Sequence, residues 1–383
     1  MKKIVILGST GSIGKQALEV VDAFPEMFKI VGLAAGTNVQ LLAEQVQKYQ
    51  PHYVSIGSKQ DAFTLKSLIN SNTEIFYGEK GLINLAEIED IDLILVSVSG
   101  IHGLLPTLTA LENHTTVALA NKETIVTAGS LVMEKAKKFG TAIIPVDSEH
   151  SAVFQCLEKE NLAAVEQLIL TASGGPFLKT SREELVQVTP QMALNHPNWK
   201  MGAKITIDSA GLINKGLEII EAHWLFNVPY ENIKVIIHPQ SVIHSMVQYK
   251  DGSVLAQLGC PDMKIPIQYA FTYPQRFTNS FSRLDLYQLE EITFSKPDFT
   301  KFPGLALAIE AGKIGGTMTT VFNGVNEEAV LSFLNGRIRF IDIPQIIEKV
   351  MIKHQVFKNY QVGDILEIDQ WARQKAREVM ANL

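Results

Sequence analysis

Short, nearly uninterrupted apolar runs alternate with longer amphipathic stretches through the first 150 residues. The runs fall at residues 4–7, 30–34, 53–56, 92–98, 116–119 and 142–145. β-branched runs with no polar alternation are the pattern of strands covered on both faces of a parallel sheet. Between the first two, Ala17, Val20, Val21 and Phe24 share one helical stripe that Pro25 ends. Residues 39–49 are striped in the same way and closed by Pro51. Strand–helix–strand alternation at this spacing predicts right-handed βαβ units and a doubly wound sheet.

The pattern changes past Asp147. Residues 167–171 and 204–208 read as strands on either side of a long polar stretch. Residues 233–238, 242–249 and 253–258 read as an antiparallel meander, with Asp251-Gly252 as the tight turn between the last two. Residues 274–300 read as an irregular linker, and helical periodicity returns from Leu305 to the end. The predicted fold is α/β. A Rossmann-type, doubly wound parallel sheet spans 1–147 and a central α+β domain spans 148–272. A linker covers 273–300, and a C-terminal helical bundle covers 301–383.

Composition narrows the function. A 46% hydrophobic, 19% charged chain with a formal net charge of −6 is ordinary globular protein. No basic face able to neutralise a phosphate backbone is visible, so no nucleic-acid partner is expected. The apolar run after Met1-Lys2-Lys3 stops at Gly8, short of the roughly 7–15 residues of a signal-peptide core. No run approaches the roughly 20 residues of a membrane span, so no membrane partner is expected. The two cysteines, Cys156 and Cys260, form no C-x-x-C pair, which argues against a disulfide framework and a cysteine zinc site. The expectation is a cytoplasmic protein.

Gly8-Ser9-Thr10-Gly11-Ser12-Ile13-Gly14 lies directly between the first strand and the first helix. Such a loop lets the backbone approach a phosphate at a helix N-terminus. Its G-x-x-G-x-x-G spacing departs from G-x-G-x-x-G and also suits a plain structural turn; the flanking strand and helix favour a dinucleotide. No acid follows the second strand, at Ala34-Ala35-Gly36-Thr37-Asn38, where NAD sites usually carry one. NADP(H) is therefore preferred, although no Arg or Lys stands there to grip a 2′-phosphate.

In open parallel sheets the ligand site lies beyond the carboxyl ends of the strands. Those ends here carry Gly8, Gly36, Ser99-Gly100, Asn121-Lys122-Glu123 and Asp147-Ser148-Glu149-His150. Asp147 and Glu149, at i, i+2 on extended backbone, would point to one side. With a third acid they suit Mg²⁺ or Mn²⁺; alone they read more readily as a solvated acidic turn. The third candidate is Glu218, which a helix would place beside Asn214 (i, i+4) and Lys215 (i, i+3). That grouping suits phosphate plus metal, or simply an exposed helix face with an ion pair. Ser173-Gly174-Gly175 after a strand can form an anion nest. His196-Pro197-Asn198-Trp199-Lys200-Met201-Gly202 reads as a closing lid or as a loop packed on the core. His238 and His244 read as structural histidines.

GSTGSIG, ANKE, PVDSEH, SGGPF, HPNWKMG, DSAGLINKGLE and HPQSVIHSMVQYKDGSVLAQLG, in this order, closely resemble the 1-deoxy-D-xylulose 5-phosphate reductoisomerase family. The resemblance implies an NADPH-dependent enzyme that converts 1-deoxy-D-xylulose 5-phosphate, a small phosphorylated sugar, to 2-C-methyl-D-erythritol 4-phosphate. It implies Asp147, Glu149 and Glu218 as ligands of one Mg²⁺ or Mn²⁺. It further implies Lys122, Ser148, Glu149, Ser173, His196, Ser209, Asn214, Lys215 and Glu218 as substrate-site residues, with Trp199 and Met201 on a lid. Thr10, Gly11, Ser12, Ile13, Gly36, Asn38, Asn121, Glu123 and Gly202 match cofactor-contact positions. Glu149 and Lys122 are the candidates for moving the proton, and a homodimer is expected. Some relatives carry a lysine where this chain has Thr37. Two other readings share parts of this pattern: a metal-dependent NADP oxidoreductase of another phosphorylated or hydroxy-acid substrate, and a dinucleotide-sensing regulatory protein.

Overall fold

The computed structural model describes residues 1–70, 72–157, 162–199 and 201–382. Its first half runs β1 (Lys2–Leu7), α1 (Ser12–Ala23), β2 (Phe28–Ala34), α2 (Val39–Tyr49), β3 (Tyr53–Ile56), α3 (Lys59–Leu68), β4 (Glu74–Tyr77), α4 (Gly78–Ala86), β5 (Leu93–Val96), α5 (Leu104–Glu112), β6 (Thr116–Leu119), α6 (Lys122–Phe139), β7 (Ile143–Pro145) and α7 (Ser148–Leu157). Then come β8 (Val165–Ala172), α8 (Pro190–Leu194), α9 (Ala203–Ala210), α10 (Ile213–Phe226), β9 (Ile233–Ile237), β10 (Ile243–Tyr249) and β11 (Val254–Leu258). The chain ends with α11 (Lys264–Thr272), α12 (Pro303–Ile314), α13 (Met318–Leu334), α14 (Asp342–Met351) and α15 (Val362–Met380). It divides into two compact units. The first is Met1–Thr124, Val132–Ser151 and Asp262–Ser282; the second is Ile125–Leu131, Ala152–Pro261 and Arg283–Leu383.

The first unit is built on a seven-stranded parallel sheet in the order β4-β3-β2-β1-β5-β6-β7. Ile4, Val5, Ile6 and Leu7 of β1 and Leu93, Ile94, Leu95 and Val96 of β5 are all fully buried, as the apolar runs predict. Strand order reverses at β1, between β2 and β5, so the crevice beyond their carboxyl ends is the topological switch point of the sheet. The chain returns to this unit in α11, which packs on α1; Phe271 meets Phe28 edge-on with ring centroids 5.7 Å apart. β4 is absent from the sequence reading. It is a half-exposed edge strand, so it lacks the buried apolar run that marks the others.

The second unit joins a four-stranded sheet, in the order β11-β10-β8-β9, to the helices α12–α15. Two expectations are corrected here. Residues 204–208 are helical, inside α9: the alternation of Ile205 and Ile207 imitates a strand, but Thr206, Ile207, Asp208 and Ala210 are the buried positions. Residues 233–237 do not continue the meander. β10 and β11 pair antiparallel, whereas β9 pairs parallel with β8 on the far side of the sheet. The intervening helices supply the crossover that parallel pairing requires. The core under this sheet and among α10, α12, α13 and α14 includes Leu217, Leu305, Phe322, Phe333 and Ile347. α10 approaches α12 closely: a Cβ on Gly216 would stand 2.3 Å from the Cβ of Ala308. Only glycine lets the helix bearing Glu218 seat there.

Candidate functional site

The loop after β1 is shaped from below. Gly8 has φ +91°, and a Cβ on Gly14 would meet the Gly8 carbonyl oxygen at 2.2 Å. The chain thus turns into α1 with its backbone close-wound, and Gly11 and Ser12 at the helix start are exposed. Under the loop, Ser9 is fully buried and joined to Gln45 of α2 by two hydrogen bonds. Ser9 Oγ donates to Gln45 Oε1 at 2.7 Å, and Gln45 Nε2 donates to the Ser9 carbonyl at 3.0 Å. Sequence reasoning missed Gln45, since nothing in an amphipathic helix marks one glutamine as turned inward. Gly36, Thr37 and Asn38 lie exposed beyond β2, and Asn38 caps α2 by accepting from the Leu41 N–H. Asn121 caps α6; its amide donates to the carbonyls of Val98 and Gly100, each at 2.9 Å, and to Glu123 Oε2 at 3.1 Å.

Asp147 follows β7, and Lys122 follows β6. Because β6 and β7 are parallel neighbours, their carboxyl ends bring the two residues together. Lys122 Nζ lies 2.8 Å from Asp147 Oδ2, and fully buried His150 places its Nδ1 3.5 Å from the same oxygen. Burial pushes the Asp147 carboxyl upward, but Lys122 and His150 outweigh it and hold the group ionised, well below the ordinary carboxylate range. Asp147 and Glu149 do bring carboxylate oxygens within 4.8 Å of one another, but not along an extended backbone, because Ser148 already begins α7. Glu149 instead sits in the first helical turn, where a carboxylate suits the helix dipole, and accepts from the Ser148 hydroxyl. His150 was legible only with the helix in hand, as the i+3 partner of Asp147.

In the second unit, Ser173, His196 and Ser209 meet at one atom. His196 Nε2 lies 3.1 Å from Ser173 Oγ and 3.2 Å from Ser209 Oγ. Its other nitrogen, Nδ1, accepts from the backbone N–H groups of Asn198 and Trp199. The ring proton therefore sits on Nε2, aimed at the two hydroxyls. Gly174 and Gly175, with φ of +83° and +68°, form the predicted turn after β8, and the Gly175 N–H donates to Ser173 Oγ. Trp199 lies 6.0 Å, centroid to centroid, from His244; Met201 is half-buried; Gly202 is exposed at the start of α9. Lys200, within the segment expected to act as a lid, lies outside the described residues. His238 is a structural histidine: its Nε2 accepts from the Val242 and Ile243 N–H groups, and Nδ1 contacts the Thr293 carbonyl.

On α10, Asn214 and Lys215 both donate to the Glu218 carboxylate. Lys215 and Glu218 are 4% and 1% exposed, which rules out a solvated helix face. A buried ammonium and carboxylate with a half-buried amide on the adjacent turn form a polar site, which a protein retains at a desolvation cost.

Three family models match the chain. The 1-deoxy-D-xylulose 5-phosphate reductoisomerase model covers residues 4–129. The C-terminal domain model of the same name covers 143–226, and the DXP reductoisomerase C-terminal domain model covers 258–375. The chain is 52% identical to the 1-deoxy-D-xylulose 5-phosphate reductoisomerase of Desulforamulus reducens over the full length of both. The solved structure of the Zymomonas mobilis reductoisomerase in complex with NADPH superposes with a TM-score of 0.93 at 40% identity, again over all of both chains. A DOX-P reductoisomerase structure in complex with NADPH, fosmidomycin and magnesium reaches a TM-score of 0.95 at 38% identity, covering all of this chain and 98% of that one. With models spanning both units and relatives matched end to end, the chain belongs to the 1-deoxy-D-xylulose 5-phosphate reductoisomerase family.

Proposed function

We propose that the chain converts 1-deoxy-D-xylulose 5-phosphate to 2-C-methyl-D-erythritol 4-phosphate with NADPH and one divalent ion, by a retroaldol–aldol rearrangement followed by reduction. The observation that carries this reading is the convergence of His196 Nε2 on the Ser173 and Ser209 hydroxyls, a ready-made donor set for a phosphate. The residues fit both groups. The close-wound turn at Gly8 and Gly14 leaves exposed backbone at the start of α1 for a pyrophosphate, and Asp147 is an ionised hard-oxygen donor. When bound, NADPH supplies the hydride and Mg²⁺ or Mn²⁺ supplies Lewis acidity at the sugar oxygens.

The chain's own residues do the rest. Asp147, Glu149 and Glu218 are the proposed ligands of the ion, as the family resemblance implies. Ser173, Ser209 and His196 grip the phosphate, while Asn214 and Lys215 take its remaining oxygens or a substrate hydroxyl, so that neither fragment escapes during the rearrangement. Ser148 contacts the substrate, and Lys122 or Glu149 moves the proton. Trp199 and Met201 close over the sugar and exclude water. Thr10, Gly11, Ser12, Ile13, Gly36, Asn38, Glu123 and Gly202 line the dinucleotide. Asn121, its amide committed to the strand ends, contributes backbone. The enzyme acts as a cytoplasmic homodimer. Among the described residues no helix is long and apolar enough to cross a membrane.

The test is NADPH oxidation with deoxyxylulose phosphate, with and without a chelator. Turnover that needs the sugar phosphate and stops with the chelator is expected. Oxidation driven equally by a hydroxy acid, or indifference to the chelator, would overturn the reading.

A further inference from the structure

We infer that Asn326, on α13, is a positioning residue for the substrate-phosphate pocket, acting through Asp208 on α9. The inference rests on the reading of Ser173, His196 and Ser209 as phosphate contacts.

α9 carries Ser209; Ile207 and Ala210 seat it in the core, but its own ends do little to fix its place along its axis. It is eight residues long, and its N-cap, Gly202, offers no capping side chain. So short a helix is marginal by its own hydrogen bonds. On one side it borders a cavity of about 550 Å³, lined in part by Ile207, Asp208, Gly211 and Phe340, so close packing does not pin it there.

A polar anchor does. The Asp208 side chain is wholly buried; its Oδ1 accepts from Asn326 Nδ2 at 2.9 Å, and its Oδ2 pairs with Lys204 Nζ at 2.8 Å. Asn326 is itself fully buried, and among the described residues its amide oxygen has no hydrogen-bond partner. An unpaired buried oxygen costs about 1–3 kcal/mol. An amide tolerated at that cost is there for its N–H, and the N–H goes to Asp208.

Asp208 and Ser209 are neighbours, about 100° apart around the helix. One faces the bundle and the other faces His196. Ser209 also abuts the nest, since a Cβ on Gly175 would come within 2.9 Å of the Ser209 carbonyl oxygen. Any slide of α9 therefore moves one wall of the phosphate pocket against the other. A misplacement of about 1 Å can lower turnover by about 10²-fold.

The test is Asn326→Leu, which keeps the volume and removes the donor. The expected result is a rise of about tenfold in substrate KM, the worth of one hydrogen bond to a charged group. The inhibition constant of inorganic phosphate should rise in parallel while the NADPH KM changes much less, since α9 meets the dinucleotide only at its N-cap, Gly202. Asp208→Asn, whose amide oxygen still accepts from Asn326 but whose Nδ2 no longer pairs with Lys204, should raise both constants by only about threefold. A purely structural role would lower the melting temperature without moving the phosphate constant. If Asn326→Leu does not fold, Lys204→Met removes the other clamp from a partly exposed position and should raise the same two constants about threefold. Unchanged constants in the folded variant overturn the inference. Ser209→Ala separates the two ideas. If it weakens phosphate while Asn326→Leu does not, the positioning role alone fails; if Ser209→Ala changes neither constant, the phosphate reading fails and takes this inference with it.

Discussion

Lys122 Nζ lies 2.8 Å from Asp147 Oδ2, with both side chains largely out of water. Parallel pairing of β6 and β7 brings the two together, and the ammonium keeps the carboxylate charged where burial alone would protonate it.

Lys122→Met should therefore destabilise the protein strongly. Removing one partner of a buried pair costs about 3–5 kcal/mol. If Asp147 is a metal ligand, Mg²⁺ should raise the melting temperature of the variant more than that of the wild type, since the ion replaces the lost positive charge. A variant whose melting temperature ignores Mg²⁺ would remove Asp147 from the metal site.

Glu218→Gln keeps the shape of α10 and discharges the proposed ligand. Turnover should be abolished while NADPH affinity, measured by fluorescence titration, stays nearly intact. Equal loss of both would mean that Glu218 supports the fold, through Asn214 and Lys215, rather than the chemistry.

His196 predicts a pH limit. Burial lowers its pKa below the usual 6.5, so the folded protein favours the neutral ring. Protonation would put a second N–H on Nδ1, facing the Asn198 and Trp199 donors it now accepts from. The stabilising contribution is therefore full above about pH 6.5 and is lost as pH falls through the lowered pKa. Substrate KM should rise over that acid window, and His196→Asn should flatten the rise. An identical profile in the variant would assign the acid limb to another group.

Much of this was readable in advance, for a physical reason. Strands buried on both faces leave uninterrupted apolar runs, so β1, β2, β3, β5, β6 and β7 stand out, while the half-exposed edge β4 does not. The Asn214–Lys215–Glu218 grouping was legible because helical spacing alone brings it together. The Lys122–Asp147 contact and the joining of Ser173 and Ser209 through His196 depend on distant segments, and no local period encodes them. α9 shows the opposite failure: K-I-T-I-D alternates like a strand, yet a buried Asp208 held by Asn326 belongs to a helix. Local pattern reports which face is apolar, but only tertiary contact decides which polar residue is turned inward.

Gln45→Leu tests the floor of the glycine loop. The variant would leave the Ser9 hydroxyl and carbonyl without their present partners, at about 1–3 kcal/mol for each buried group left unpaired. NADPH KM should rise about tenfold while substrate KM changes little, because the disturbance stays under β1 and α1. A rise confined to the sugar phosphate would contradict the cofactor assignment of this loop.

The free side of β11 bears on the proposed dimer. It is the last strand of its sheet, and Val254, Leu255 and Leu258 are 47%, 45% and 38% exposed. An apolar edge with open backbone donors and acceptors is a template for further pairing unless charge, proline or a bulge blunts it, and V-L-A-Q-L has neither charge nor proline. A second copy pairing edge to edge across a twofold axis would cover the strand on both chains at once. Leu255→Lys places a charge on that edge and should shift the protein from dimer to monomer in analytical ultracentrifugation, with the melting temperature becoming independent of concentration. A variant that sediments as the wild-type dimer would put the interface elsewhere, and a wild type that sediments as a monomer would mean this edge is left open.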